Sequence, residues 1–243
     1  MNKTEILFKV EKLIAAHKQG LLGGEKMPED SRPNLLRSSE ENILYLTLPM
    51  ALNYQRNSYK LWESALLTWE DLETKTVFNP SQAINLNIDT LRQFLVKYKV
   101  ALQQNKQPLI WQKLCQTFVD NYDGKVLNLL AKNDYRIDQI LNEIQIEKKK
   151  YFPYLSGNKI ANYWLFVLTQ YTDLPFKNKD SLSIAPDTHI CQASLKLGLS
   201  SINESPLQVA EHWKVLLSNS GIYPIDIHTP LWLWSRGNFS FQV

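Results

Sequence analysis

YLSGNKIANYWL, from Tyr154 to Leu165, places a glycine two residues before a lysine, and that lysine opens an apolar helix. A second stretch, APDTHICQASLKLGL (Ala185–Leu199), puts Asp187 at the start of another helix that Gly198 can close. Between Ile137 and Leu165 the pattern is helix, short turn at Gly157, helix. A hairpin of this kind leaves unpaired N–H groups at the positive end of the second helix, where phosphate binds well. The run Glu147–Lys150 (EKKK) and Lys159 would bracket the turn with positive charge. Spacing alone leaves two readings open: a hairpin that grips a nucleic-acid strand, or an ordinary helical turn beside a solvated lysine run.

The rest of the chain is helical in pattern. Ile6, Leu7, Val10, Leu13 and Ile14 share one face of a first helix. The stretch GLLGGEKMPEDSRPN (Gly20–Asn34) then reads as a long loop. In SSEENILYLTLPMAL, Ser38 or Ser39 can cap a helix with glutamates in its first turn. Ile88, Leu91, Leu95, Tyr98 and Leu102 mark an amphipathic helix, and Pro108 suits the first turn of the next. YRIDQILNEIQIEKKK reads as helical up to the break at YFPYLSG. Ser205-Pro206 has the order of a cap and a first-turn proline. About ten helices are expected, with no strand alternation and no fixed-period repeat. The fold class read from this pattern is all-α.

Bulk properties limit the functions that fit. The chain has 243 residues, 44% of them hydrophobic, with seven tryptophans, most of them expected in the core. A net charge of +3 is compatible with a polyanion partner without requiring one. The two cysteines, Cys115 and Cys191, are too few for a four-cysteine zinc or iron–sulfur site. They read as reduced thiols in a cytoplasmic protein. The N-terminal segment alternates apolar and charged residues rather than forming a signal peptide, and no apolar run approaches the roughly 20 residues of a membrane helix.

A lysine at a helix mouth, partly desolvated, can lose its proton and become a nucleophile. An amine that attacks the anomeric carbon of a nucleoside expels the base and leaves a Schiff base. Such chemistry also needs a carboxylate to support positive charge on the sugar or to move protons.

SGNKIANYWL and PDTHICQASLKLGL together resemble the signature of the helix–hairpin–helix DNA glycosylase superfamily, which includes endonuclease III and the 8-oxoguanine glycosylases. Gly157, Lys159 and Ala161 match the first part of that signature; Asp187, Thr188, His189, Leu197 and Gly198 match the second. The resemblance implies Lys159 as the Schiff-base nucleophile and Asp187 as the catalytic carboxylate. It implies DNA contacts from Gly157, Asn158, Lys150 and His189. LPMALNYQRNSYKLWESALL (Leu48–Leu67) resembles the family's early helix pair, which implies a DNA contact from Gln55 entering the space left by a flipped base, against an alternative reading as a polar cap between two helices. Trp232 and Trp234 are candidates to stack on that base, against a core-packing alternative. His189 has a second reading as a hydrogen-bonded helix residue. His228 and Asp226 have too few partners for a metal site, so no metal is expected, and helix capping accounts for Asp226.

The family's proline and first hairpin glycine are missing from Tyr154-Leu155-Ser156-Gly157, and Asp187 follows Lys159 by 28 positions, a longer interval than in endonuclease III. The added length lies in TDLPFKNKDSLS (Thr172–Ser183), a lengthening similar to that of the archaeal 8-oxoguanine branch. The four-cysteine motif of endonuclease III is absent, so neither an iron–sulfur cluster nor another cofactor is expected.

The implied architecture is two-lobed. Residues 38–172 would form a central helical barrel carrying the hairpin at 137–165, and residues 1–37 with 173–243 a second lobe, with the active site in the cleft between them. The implied protein is a monomeric base-excision-repair DNA glycosylase with β-lyase activity. It would act on double-stranded DNA carrying a damaged base, 8-oxoguanine first, with no membrane association. Three alternatives remain: a glycosylase-like protein that binds nucleic acid without cutting it, a hydrolase of modified nucleosides on the same fold, and a helical protein-interaction module.

Overall fold

The computed structural model describes residues 2–23 and 26–243; Gly24 and Glu25 of the expected loop lie outside the described residues. The described chain contains twelve α-helices and no strand, only an isolated parallel bridge between Arg136 and Lys177. Two compact units divide it: 1–26 with 178–243, and 27–177.

The first helix, α1 (Lys3–Lys18), buries Ile6, Val10, Leu13 and Ala16, the expected face. The chain then builds the larger unit. Its helices are α2 (Glu40–Ala51), α3 (Ser58–Glu70), α4 (Pro80–Ala83), α5 (Ile88–Lys97), α6 (Gln107–Tyr122), α7 (Val126–Lys132), α8 (Ile137–Asn142) and α9 (Asn158–Tyr171). Helix α2 is buried all round and forms the centre, with Ile43, Tyr45, Leu46, Leu48 and Met50 fully enclosed. Ser39 caps it by accepting from the Asn42 amide at 3.2 Å. The chain returns to the smaller unit as α10 (Thr188–Lys196), α11 (Pro206–Leu217) and α12 (His228–Arg236), where α10 packs along α12.

All seven tryptophans are buried, and the deepest four each find an acceptor for the indole N–H. In the larger unit Trp62 donates to Glu29 at 3.0 Å, Trp111 to the Val77 carbonyl at 2.9 Å and Trp164 to the Thr47 hydroxyl at 2.9 Å. Trp213 of the smaller unit donates to the Ser194 hydroxyl at 2.8 Å.

Residues 27–37 pack into the larger unit. Glu29 reaches Trp62 there, and the Tyr45 hydroxyl donates to the Ser31 carbonyl at 2.9 Å. The stretch after Ile137 is not one helix. It passes from α8 into a π-helical turn over Glu143–Glu147 and a 3-10 turn over Lys149–Tyr151. The cause is Glu143, which is buried and accepts from Tyr122 at 2.7 Å, Lys132 at 2.6 Å and Asn133 at 2.6 Å. Three donors converging on one carboxylate hold the backbone out of α-helical register.

Candidate functional site

The hairpin turn is built by short backbone bonds. Ser156 donates to the Phe152 carbonyl at 2.9 Å and Gly157 to the Tyr154 carbonyl at 3.0 Å. Tyr154 takes φ +62, a left-handed conformation that costs a non-glycine residue roughly 1 kcal/mol. This residue closes the turn. Gly157 has φ −62, so its glycine is not needed for a left-handed backbone. Its reason is space: a Cβ there would stand 3.1 Å from the Tyr154 carbonyl oxygen.

Gly157 is the N-cap of α9, and no side chain caps that helix. Among the described residues, the amides of Asn158, Lys159 and Ile160 have no hydrogen-bond partner. They present a row of donors at the positive end of the helix. Lys159 is the second residue of α9 and is exposed. The packed face of α9 is taken by Ile160, Ala161 and Trp164, which leaves Lys159 on the solvent side. A lysine in a first turn opposes the helix dipole, so helix stability does not account for it.

Other predicted residues of this unit gather nearby. Tyr54, in the loop after α2, lies against Tyr154 with ring centroids 5.8 Å apart, and Lys106 stands over the Tyr154 ring at 5.2 Å. Gln55 follows Tyr54 and is exposed with φ +50, a second strained position. Arg56 anchors that loop by donating to the carbonyls of Val100 at 2.6 Å and Lys99 at 3.0 Å. Lys149 and Lys150 are exposed, whereas Lys148 turns to Glu143 at 3.2 Å. Asn158 accepts from the Asn162 side chain at 3.1 Å. The Tyr54–Tyr154 contact, one hundred positions apart, carries no local sequence signal.

In the smaller unit Asp187 is the N-cap of α10, and its Oδ1 accepts from the Ile190 amide at 3.0 Å. Its Oδ2 accepts from the Trp232 indole N–H at 3.2 Å. His189 lies edge-on to Trp232, and its Nδ1 is 3.2 Å from the Ser235 hydroxyl. Asp187, His189 and Trp232 therefore form one cluster, with Ser235 as a member that sequence reading missed. Trp234 does not join it: its N–H donates to the Phe241 carbonyl at 2.8 Å and its ring packs on Phe239. Asp226 accepts from the Tyr223 amide at 3.3 Å and so secures a turn, while α12 has no side-chain cap.

No group of histidine, cysteine, aspartate and glutamate among the described residues could hold a metal ion. No described helix is long and apolar enough to cross a membrane. Two surface depressions of the larger unit, about 500 and 240 Å³, touch none of the predicted residues.

A solved structure of a trapped endonuclease III–DNA covalent intermediate, an estranged-adenine complex, matches this chain at a TM-score of 0.60. The match covers 100% of this chain and 90% of that one at 17% identity. This chain has the endonuclease III fold. No family model matches the chain, and no curated protein matches it in sequence. The endonuclease III fold is thus reached with few shared residues, through the helical pattern rather than through overall identity.

Proposed function

We propose that this protein is a base-excision DNA glycosylase with β-lyase activity, acting as a cytoplasmic monomer on double-stranded DNA that carries a damaged base. The observation that carries the reading is the start of α9. An exposed primary amine at Lys159 stands beside three unpartnered amides directly after a hairpin turn, in a chain with the endonuclease III fold. The endonuclease III of the similar structure was trapped as a covalent intermediate on DNA, and an amine nucleophile is the chemistry that leaves such an adduct.

In this reading the amides of Asn158, Lys159 and Ile160 hold a backbone phosphate, and Lys150 adds positive charge. Gln55 enters the gap left by the flipped nucleotide. The Lys159 amine attacks the anomeric carbon, the glycosidic bond breaks, and the base leaves with its electron pair and a proton. Asp187 accepts the proton that Lys159 must lose and supports positive charge on the sugar. The nitrogen lone pair then breaks the C1′–O4′ bond, O4′ takes the proton held by Asp187, and the opened sugar is left as a protonated Schiff base. This makes the neighbouring C2′ proton acidic, and its loss expels the 3′-phosphate. The proposal requires Lys159 and Asp187 to serve the same nucleotide. An oxidised purine such as 8-oxoguanine is the first substrate to test, because of the long segment between the two residues. Two cysteines supply no four-thiolate ligand set, and the chemistry needs no cofactor.

Binding without cleavage is the second reading, and the solvent exposure of Lys159 favours it. The deciding experiment incubates the protein with duplexes carrying 8-oxoguanine or an abasic site and then adds borohydride. A trapped complex that Lys159→Ala loses supports the glycosylase–lyase reading. Salt-sensitive binding to both duplexes with no base release and no trapping supports the second.

A further inference from the structure

The cluster around Asp187 holds more than a helix cap requires. Asn57, Asn79 and Asn87 cap α3, α4 and α5 by accepting from a first-turn amide. Asp187 does the same through Oδ1. That bond alone leaves the carboxylate plane free to turn, because the torsion that sets it is broad. The second bond, from the Trp232 indole to Oδ2 at 3.2 Å, removes that freedom.

The donor is itself held. The Arg236 guanidinium lies over the Trp232 ring at 5.2 Å, and the His189 ring meets it edge-on at 5.3 Å and 67°. His189 Nδ1 is 3.2 Å from the Ser235 hydroxyl, which donates to Gln192 Oε1 at 3.0 Å. Trp232 is only 7% exposed. Every group in the chain belongs to α10, α12 or the α10 cap. Two helices thus cooperate to aim one indole N–H at one carboxylate oxygen. With the Arg236 guanidinium over its ring and the His189 ring set at an angle against it, the indole is already engaged by protein contacts and is poorly placed to receive a base.

We infer that Trp232 is a positioning residue for Asp187: its indole N–H fixes the orientation of the carboxylate for the chemistry, and its ring is not a platform for the flipped base. The inference rests on the glycosylase–lyase reading for its chemical consequence, but its geometric part stands apart from that reading. Misorienting a reacting group by a fraction of an ångström slows a reaction without weakening binding.

The test uses Trp232→Phe, which keeps an aromatic ring and deletes the donor. Strand cleavage of an abasic duplex is measured under single-turnover conditions for wild type, Trp232→Phe, Asp187→Asn and the double variant. Trp232→Phe is expected to lower the rate constant about tenfold while the DNA dissociation constant stays unchanged and the protein remains folded at the assay temperature. The double variant should be no slower than Asp187→Asn, since the indole acts only through the carboxylate. A wild-type rate in Trp232→Phe overturns the inference, as does a loss confined to DNA affinity or an additive loss in the double variant. If the wild-type protein neither cleaves nor traps, the glycosylase–lyase reading fails by itself, and the geometry is then judged by NMR. The same measurement decides if Trp232→Phe does not fold. Asp187→Ser keeps a helix cap but cannot reach the indole, and the Trp232 indole proton should move upfield in it. An unmoved resonance overturns the inference.

Discussion

Helices α9 and α10 begin in opposite ways. At the start of α10 an aspartate accepts from the first turn, and a tryptophan holds its other oxygen. At the start of α9 a glycine offers no acceptor, three amides have no hydrogen-bond partner among the described residues, and a lysine adds positive charge to the positive end of the helix. The first arrangement satisfies the rules of helix stability; the second violates them. A helix start that is left uncapped and made more positive has its natural partner outside the chain, in an anion. The capped start holds its own anion, ready for use. The contrast between an open cationic helix mouth and a closed anionic one is the basis of the functional proposal.

The largest predicted effect removes the amine. Lys159→Ala should lower strand cleavage by roughly 10³-fold or more in single-turnover assays, with DNA affinity within a few-fold of wild type because the backbone amides remain. At the other helix, Asp187→Asn should slow cleavage about 10²-fold while the helix cap is kept, since asparagine caps as well as aspartate. Asp187→Ala should show the same slow cleavage and lose in addition about 1 kcal/mol of stability in urea titrations.

A smaller change sharpens the contrast at α9. Gly157→Ala places a methyl 3.1 Å from the Tyr154 carbonyl, which must give by a few tenths of an ångström. We expect several-fold weaker DNA binding with a shallower salt dependence, read by fluorescence anisotropy at several salt concentrations. Unchanged affinity would show that the open helix start takes no part in binding.

A further predicted effect lies away from both helix starts. Burial pushes the Glu29 carboxyl up to about 7, against the bond it accepts from Trp62. Burial likewise raises Glu40 to about 7, although it accepts from the Val126 and Leu127 amides. Between the unfolded value near 4.5 and about 7 the folded state binds the extra protons. Stability should therefore fall as pH rises through that window, by at most about 3 kcal/mol for Glu29. Glu29→Gln should flatten this dependence and raise the melting temperature at pH 8. Glu143 behaves oppositely: burial alone would raise it, but bonds from Lys132, Asn133, Tyr122 and Lys148 hold it at about 2. Its contribution should be lost as pH falls from 4.5 toward 2.

What could be read in the sequence was local. Ser39, Asp187 and Ser205-Pro206 start helices where their residue types predict, and Gly198 closes α10 with φ +74. Each of those signals lies within four or five residues of its effect. The failures are all long-range. The π-helical turn at Glu143 is made by Tyr122, Lys132 and Asn133, ten to twenty-one residues away. The bond from Trp232 to Asp187 spans 45 positions, and the approach of Tyr54 to Tyr154 spans one hundred. Lys159 was legible as a residue out of place, but its exposure followed from which side of α9 packs, and no spacing rule gives that.

The measurement that bears most directly on the central claim is peptide mapping of a borohydride-trapped complex with an abasic duplex. The account predicts one adduct, on the peptide that contains Lys159, and none on peptides carrying Lys148, Lys149 or Lys150. An adduct on another lysine, or no adduct while DNA binding persists, would contradict it.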